Sequence, residues 1–385
     1  MKVLLVTPVG MGHVLPMVPL AQALGARGHA VLWALPDAGV PLVEQAGIDA
    51  VGTSPLPPAR PFDVMQRFPE LRELSPDERP EVMFSKLFGA LVAPPMLAGL
   101  TPVAHDWEPD LVVSDAADFA GPIVAAELGV PGVNKGFGAL LREPQLARVE
   151  AEVAPLWRSR GLEPRPYGGS YDHLYIDPYP PELQPQAAPH VPLRQLMRPV
   201  TYTGPADTTV ELPLPAVRRD RPLVYVTMGT VFSEAAVLQD VVAALVQLDV
   251  RLLVTVGPQG DPAVLGEQPA HVRVERYVSQ SALLPHCHVV VSHAGSGTAI
   301  SALEVGLPQL CLPQGADQFV NAAAISSAGA AISLVPAEAT ASAVSDAVVR
   351  LLDDAPYREA AERLSASIAS MPSPDDVCAV LEKML

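Results

Sequence analysis

The chain has 385 residues, 49 % hydrophobic and 17 % charged, enough apolar mass for two ordinary domains or one large α/β domain and too much for a disordered chain. Lys and Arg number 25 against 42 Asp and Glu. The resulting net charge of −17 argues against nucleic acid or an anionic membrane as a partner, and any anionic small ligand must be held by local dipoles against the bulk field. Cys287, Cys311 and Cys378 are far apart with no C-x-x-C, so neither a disulfide framework nor a zinc site is expected, and a reducing, cytoplasmic setting fits.

The start, "MKVLLVTPV", imitates a secretory signal, but Pro8 and the Gly10-Met11-Gly12-His13 turn interrupt it and a helical pattern follows at once. It reads as a buried first strand. "VLPMVPLAQALGARGH" carries apolar residues at helical spacing with Gly28 near its end, and "AVLWALP" is a second strand, so the chain opens as a βαβ unit. "PDLVVSD" is another buried strand, "AGPIVAAELGV" a helix ending at Gly129, and "PGVNKGF" the next strand with its loop. Stretches 53–95 and 137–200 are rich in Pro and aromatics and are expected to be long loops and short helices of a variable pocket. No apolar run of about 18 residues is evident, so no transmembrane helix is expected.

Residues 202–222 carry Pro and no sustained period, as an interdomain linker does. The α/β rhythm then restarts: "LVYVTMG", "RLLVTVG", "HVRVERYV", "HVVVSH" and "PQLCLP" read as strands, with "AAVLQDVVAALVQL" and "AISALEVG" as helices. "PDDVCAVLEKML" closes the sequence as an amphipathic helix with Asp375 and Asp376 in its first turn. The expected domains are 1–201, a linker 202–222, 223–366, and a last segment 367–385 returning to pack on the N-terminal domain. The fold class is α/β, with two Rossmann-like parallel sheets, and ligands are expected beyond the carboxyl ends of the strands.

One turn carries most of the chemistry. The strand ending at Ser292-His293 runs into Gly295, Ser296, Gly297 and Thr298 before a helix. A helix start offers unpaired N–H groups and a positive dipole end, the glycines admit close approach, and the hydroxyls and His293 add donors. This suits a pyrophosphate without lysine or metal; the alternative is a tight turn with structural glycines. G-x-x-x-x-G-K-[ST] is absent, and Leu15 stands where a dinucleotide fingerprint needs its third glycine. His286-x-His288 reads as a solvated loop rather than a metal site.

Residues 277–322, "YVSQSALLPHCHVVVSHAGSGTAISALEVGLPQLCLPQGADQFVNA", resemble the donor signature of glycosyltransferase family 1, and more narrowly its actinobacterial natural-product members. The parts are an aromatic-x-P-Q, then H-x-G-x-G-T, G-x-P-Q and D-Q-x-x-N, in order. "PVGMGHVLPMVPLAQAL" and "TMGT" (227–230) extend the likeness nearly end to end.

The resemblance implies a GT-B fold, two Rossmann-like domains facing across a deep cleft, and transfer of a sugar from a nucleotide sugar to a small aglycone in antibiotic biosynthesis. His293, Gly295, Ser296, Gly297 and Thr298, with Gly229 and Thr230, would meet the diphosphate. Tyr277 would stack on the base, Val278 would bond its edge by backbone, and Gln280 completes that motif. Asp317 and Gln318 would hydrogen-bond the sugar.

Two departures matter. Ser279 replaces the motif's proline. Ser301 stands eight residues after His293, where plant members carry a Glu for the ribose hydroxyls; its lack of a carboxylate points to a deoxyribose, hence dTDP rather than UDP.

Inverting transfer needs a base for the acceptor hydroxyl, and His13, held by a carboxylate at its other nitrogen, suits it. Asp115 matches the family's partner and Asp118 is the alternative; a capping role is the competing reading for each. Phe62, Phe84, Phe88, Phe137, Leu140 and Trp157 are expected either to line an acceptor cavity or to be core. No metal cofactor is expected, and the assembly is a monomer or homodimer. The competing classes are a UDP-sugar enzyme, a non-catalytic nucleotide-sugar binder, a dehydrogenase and a GT-B epimerase.

Overall fold

The computed structural model describes residues 1–55, 61–74, 79–185, 187–202, 204, 212–217, 219–229, 235–258 and 260–385, with only the backbone of 61–63 and 235. The chain forms two compact units: Met1–Tyr179 with Pro185–Tyr202 and Met371–Leu385, and Pro180–Gln184 with Thr203–Ser370.

The first unit holds a parallel sheet of β1 (Lys2–Val6), β2 (Ala30–Leu35), β3 (Ala50–Gly52), β4 (Leu111–Asp115), β5 (Gly132–Lys135), β6 (Leu174–Asp177) and β7 (Arg194–Leu196), in the order β3-β2-β1-β4-β5-β6-β7. The run of apolar residues in β1 is explained by packing on both faces. Val3 and Leu5 join Leu20, Leu24 and Val377 in one core, while Leu4 and Val6 join Met96, Leu97 and Ile123 in another. The second unit holds β8 (Leu223–Thr227), β9 (Arg251–Thr255), β10 (Val272–Glu275), β11 (Val289–Ser292), β12 (Gln309–Cys311) and β13 (Ala331–Ser333), in the order β10-β9-β8-β11-β12-β13. All its ladders are parallel.

Counted from its own first strand, each sheet contains the doubly wound order 3-2-1-4-5-6, with β7 added beside β6 in the first, and the direction of winding reverses between its first and fourth strands.

The stretches expected to be irregular contain regular structure. A continuous helical run spans Arg79–Trp107, with a π-helical segment, Ser85–Val92, directly before Pro94 and Pro95. Prolines lack the N–H that an α-helix requires of them, and the wider turn accommodates that loss. By length and composition alone this run is long and apolar enough to cross a membrane, a test that core helices also pass, and it gives no clear membrane span. Polar interruptions such as Ser85 and Lys86 hid the run in the sequence. Its Met96, Leu97, Leu100 and Ala104 are core residues, and Lys86 pairs with Glu152 at 2.7 Å. A second helix, Glu143–Ser159, and strands β6 and β7 occupy the other stretch.

The described part of 202–222 carries neither helix nor strand. The last helix, Pro374–Leu381, starts with a capping box between Ser373 and Asp376, and buries Val377, Cys378 and Leu381 in the core of the first unit. The Arg27 guanidinium ties it down, reaching Asp375 at 3.1 Å and Glu382 at 2.8 Å.

Candidate active site

In the first unit the winding reverses between β1 and β4, and both chemical candidates lie there. The chain turns after β1 at Gly10, whose φ of 147° favours glycine, and the Gly10 carbonyl accepts the N–H of His13 and of Val14, each at 3.0 Å. This fixes His13 in the short helix Met11–Val14. Asp115 is the last residue of β4, and its Oδ1 lies 3.0 Å from His13 Nδ1. The same oxygen accepts the Ala117 N–H at 2.8 Å.

The carboxylate can only accept, so Nδ1 carries the proton and donates it, leaving Nε2 as the lone-pair nitrogen. The His13 side chain is 17 % exposed and that of Asp115 2 %, so the ring is reachable and its anchor is not. Asp118 does not serve as the anchor. Its oxygens accept the Ala120 and Gly121 N–H groups at 3.2 and 2.8 Å, at the start of the helix Gly121–Leu128. Burial pushes its carboxyl up to about 6.

Two aromatic rings flank the imidazole edge-on, Phe137 at 4.7 Å and Phe88 at 5.4 Å between centroids. Phe84 packs on Phe88 at 4.8 Å and also borders a cluster containing Leu140, Tyr171 and Tyr175. Leu140 is buried within that cluster. Trp157, on the Glu143–Ser159 helix, is buried in the core cluster with Ile123 and Val153, close to Gly169 and with the Arg165 guanidinium over its ring. The Phe62 side chain lies outside the described residues.

The second unit repeats the placement at β8 and β11. Gly229 follows β8 with φ 76°; Thr230 lies outside the described residues. His293 follows β11, its ring wedged between two glycines. A Cβ at Gly229 would fall 2.5 Å from His293 Cε1, and one at Gly295 would fall 2.5 Å from Nε2. Burial lowers the imidazole to about 4, so the ring is neutral at pH 7 and can offer a hydrogen bond but no positive charge.

The helix Ser296–Glu304 begins directly after. Ala299 N–H finds the Gly295 carbonyl at 3.0 Å, which leaves the N–H groups of Ser296, Gly297 and Thr298 at the open helix start. A Cβ at Gly297 would meet nothing within 4 Å. The two glycines of the turn therefore differ: Gly295 makes room for a ring of the protein, whereas Gly297 borders open space.

Sequence reading gave Asn321 no role beyond its place in D-Q-x-x-N. Its fully buried amide donates to Asp317 Oδ2 at 2.8 Å, to Ser296 Oγ at 3.1 Å and to the carbonyl of Ala294 at 3.0 Å. Ala294 has φ 62°, an unusual value for a residue with a side chain, and Asn321 holds that kink. Ser296 Oγ also donates to Asp317 Oδ2, at 2.6 Å. Gln318 Oε1 accepts from the Gln314 and Gly315 N–H groups at 2.7 and 3.0 Å, which turns its amide into a fixed donor.

Gln280 donates to Thr298 Oγ1 at 3.1 Å, so the base motif and the helix start are joined. Tyr277 is 44 % exposed, while Val278 is buried against Tyr225 and Leu253. Ser301 is buried and its hydroxyl donates to the Gly297 carbonyl at 2.8 Å. His288 Nδ1 accepts the Leu223 N–H at 3.2 Å, a structural use.

Residues 22–229 match the N-terminal domain of the erythromycin biosynthesis protein CIII-like family, and residues 239–384 match its C-terminal domain. The chain is 33 % identical to the L-demethylnoviosyl transferase of Streptomyces niveus, over 97 % of this chain and 96 % of that one. It is 31 % identical to the 10-deoxymethynolide desosaminyltransferase of Streptomyces venezuelae, over 100 % and 97 %. The spinosyn rhamnosyltransferase SpnG, solved with thymidine diphosphate, superposes with a TM-score of 0.83 at 29 % identity, covering 99 % of this chain and 100 % of that one. The chain belongs to the erythromycin biosynthesis protein CIII-like family and is a GT-B glycosyltransferase of the antibiotic-biosynthesis type.

Proposed function

We propose that the protein transfers a deoxysugar, with inversion and without a metal ion, from a dTDP-sugar to a hydroxyl of a small lipophilic aglycone. The observation that carries the reading is the His13–Asp115 hydrogen bond at 3.0 Å, which leaves Nε2 free of the proton and beside two aromatic rings. In this reading Nε2 takes the acceptor's hydroxyl proton as its oxygen bonds to C1 of the sugar. The bond from C1 to the β-phosphate breaks, and the diphosphate leaves with the electron pair. The imidazolium formed is stabilised by Asp115, which keeps the Nδ1 proton on the ring.

The leaving charge is met by the open N–H groups of Ser296, Gly297 and Thr298 and by neutral His293. Tyr277, with its ring exposed, is the stacking face for the base, and Asp317, Gln318 and the backbone they order bind the sugar. Phe84, Phe88 and Phe137 form the apolar wall for the aglycone. The choice of dTDP rests on Ser301. Its hydroxyl is turned back onto the helix, so the position offers no carboxylate to a ribose 2′-hydroxyl.

Thermal shift with TDP and with UDP tests the donor. TDP is expected to raise the melting temperature more, and a larger shift with UDP overturns the assignment. A chelator in the transfer assay is expected to leave the rate unchanged; loss of activity restored by a divalent cation would remove metal independence.

A further inference from the structure

We propose that Lys135, a buried lysine set beside Asp115 in the register of the β4–β5 ladder, acts as a positioning residue that keeps the His13 imidazole unprotonated and therefore competent as a base at neutral pH. The proposal rests on the reading of His13 as the base. Lys135 ends β5 and is the direct partner of Asp115 in the parallel β4–β5 ladder; the Lys135 carbonyl accepts the Ala116 N–H at 2.9 Å. On its other side Lys135 pairs with Ile176 of β6, one residue before Asp177. Lys135 and Asp115 are 1 % exposed and Asp177 0 %.

A lysine this buried is uncommon and needs a countercharge. Its Nζ donates to the Gly136 carbonyl at 3.0 Å, which satisfies one proton without neutralising the charge. Asp177 already has a cation, since Arg194 of β7 reaches it at 2.6 Å. Asp115 and Asp177 both pull on Lys135, and of the two Asp115 is the one in direct register with it and bonded to His13.

The other titratable groups facing this cluster are Asp118, Tyr171 and Tyr175. Burial raises the Asp118 carboxyl to about 6, which leaves it mostly ionised at pH 7, and both phenols are pushed above their ordinary range by burial and by Asp177. Phe88 and Phe137 pack edge-on against the His13 ring. Burial lowers the Lys135 ammonium to about 8, against the pull of Asp115 and Asp177, so it is still mostly charged at pH 7.

The couple shares one negative charge when His13 is neutral. A nearby cation opposes uptake of a further proton by the His13 ring. Without Lys135 the proton is held more tightly, and less of the base is free at pH 7.

The test is the pH profile of kcat. Lys135→Met is expected to move the acid limb up by about one unit or more, and Lys135→Arg, which keeps the charge, to leave it in place. Asp177→Asn removes a negative charge from the same cluster and is expected to move the limb down; it serves if Lys135→Met does not fold. A Lys135→Met enzyme slower by one factor at every pH, with its limb at the wild-type position, overturns the proposal, as does an unmoved limb in Asp177→Asn. His13→Ala separates the two readings. If it retains wild-type turnover, the base assignment fails by itself. Lys135 is then judged on the His13 ring titration followed by NMR: a raised value in Lys135→Met supports the proposal and an unchanged one overturns it.

Discussion

His13→Ala is expected to bind TDP as the wild type does and to lose roughly 10²- to 10⁴-fold in kcat, the range for removing a positioned base. The separation follows from placement. His13 belongs to the first unit and every nucleotide contact proposed above belongs to the second. Isothermal titration with TDP, paired with single-turnover transfer, measures both halves; unchanged turnover removes His13 as the base.

Asp115→Asn sharpens the result. In many dyads an asparagine turns its amide to the ring and inverts the tautomer. Here Oδ1 accepts both His13 Nδ1–H and the Ala117 N–H, and an amide nitrogen at that place would face a backbone donor. The asparagine oxygen therefore stays where Oδ1 is, and the tautomer is preserved. What is lost is charge, worth about 1–2 kcal/mol as the difference between an ionic and a neutral hydrogen bond, or roughly five- to thirtyfold in rate. Asp115→Ala, which loses the orientation as well, is expected to fall further. Equal losses in the two variants would show that Asp115 acts by charge alone.

The second large effect separates two glycines two residues apart. Gly295→Ala sets a methyl carbon 2.5 Å from His293 Nε2, so the ring must move, and both stability and TDP affinity should fall. The backbone at Gly295, φ −62° and ψ 141°, is open to alanine, so the collision is the whole cause. Gly297→Ala meets nothing in the protein and exchanges glycine for the best helix former in the first turn, so the melting temperature should hold or rise. TDP affinity should nevertheless drop by roughly 10- to 100-fold, about 1.4–2.8 kcal/mol, because the methyl occupies space beside the open N–H groups. An unchanged TDP affinity in Gly297→Ala would move the phosphate site away from this turn.

The strands of both sheet centres were legible because burial on two faces writes them as unbroken apolar runs, as in "KVLLV" and "HVVVS". The short strands β6 and β7, the last two at one side of the sheet, were not legible: "LYID" and "RQL" carry little β-branched character and take their conformation from the ladder beside them. The Arg79–Trp107 helix escaped notice because prolines signal helix ends, and only the three-dimensional π-segment shows how the run passes them. At the site, His13, Asp115 and His293 stood out by chemistry at strand ends. Asn321 and Lys135 did not. An amide that fixes a left-handed alanine, and a buried lysine set beside an aspartate by strand register, exist only once distant segments are side by side.

The return of the chain at Met371 bears on how the protein is made. The strands β1–β7 leave the ribosome well before the last fifteen residues, yet Val377, Cys378 and Leu381 complete the core around Leu20 and Leu24. During vectorial synthesis the first unit must wait, with that apolar patch uncovered, while the whole second unit is translated, whereas the second unit has all its strands as soon as β13 emerges. The nascent chain is thus expected to finish folding its later half first, and a stalled or prematurely terminated product exposes its stickiest surface on the half that was synthesised earliest.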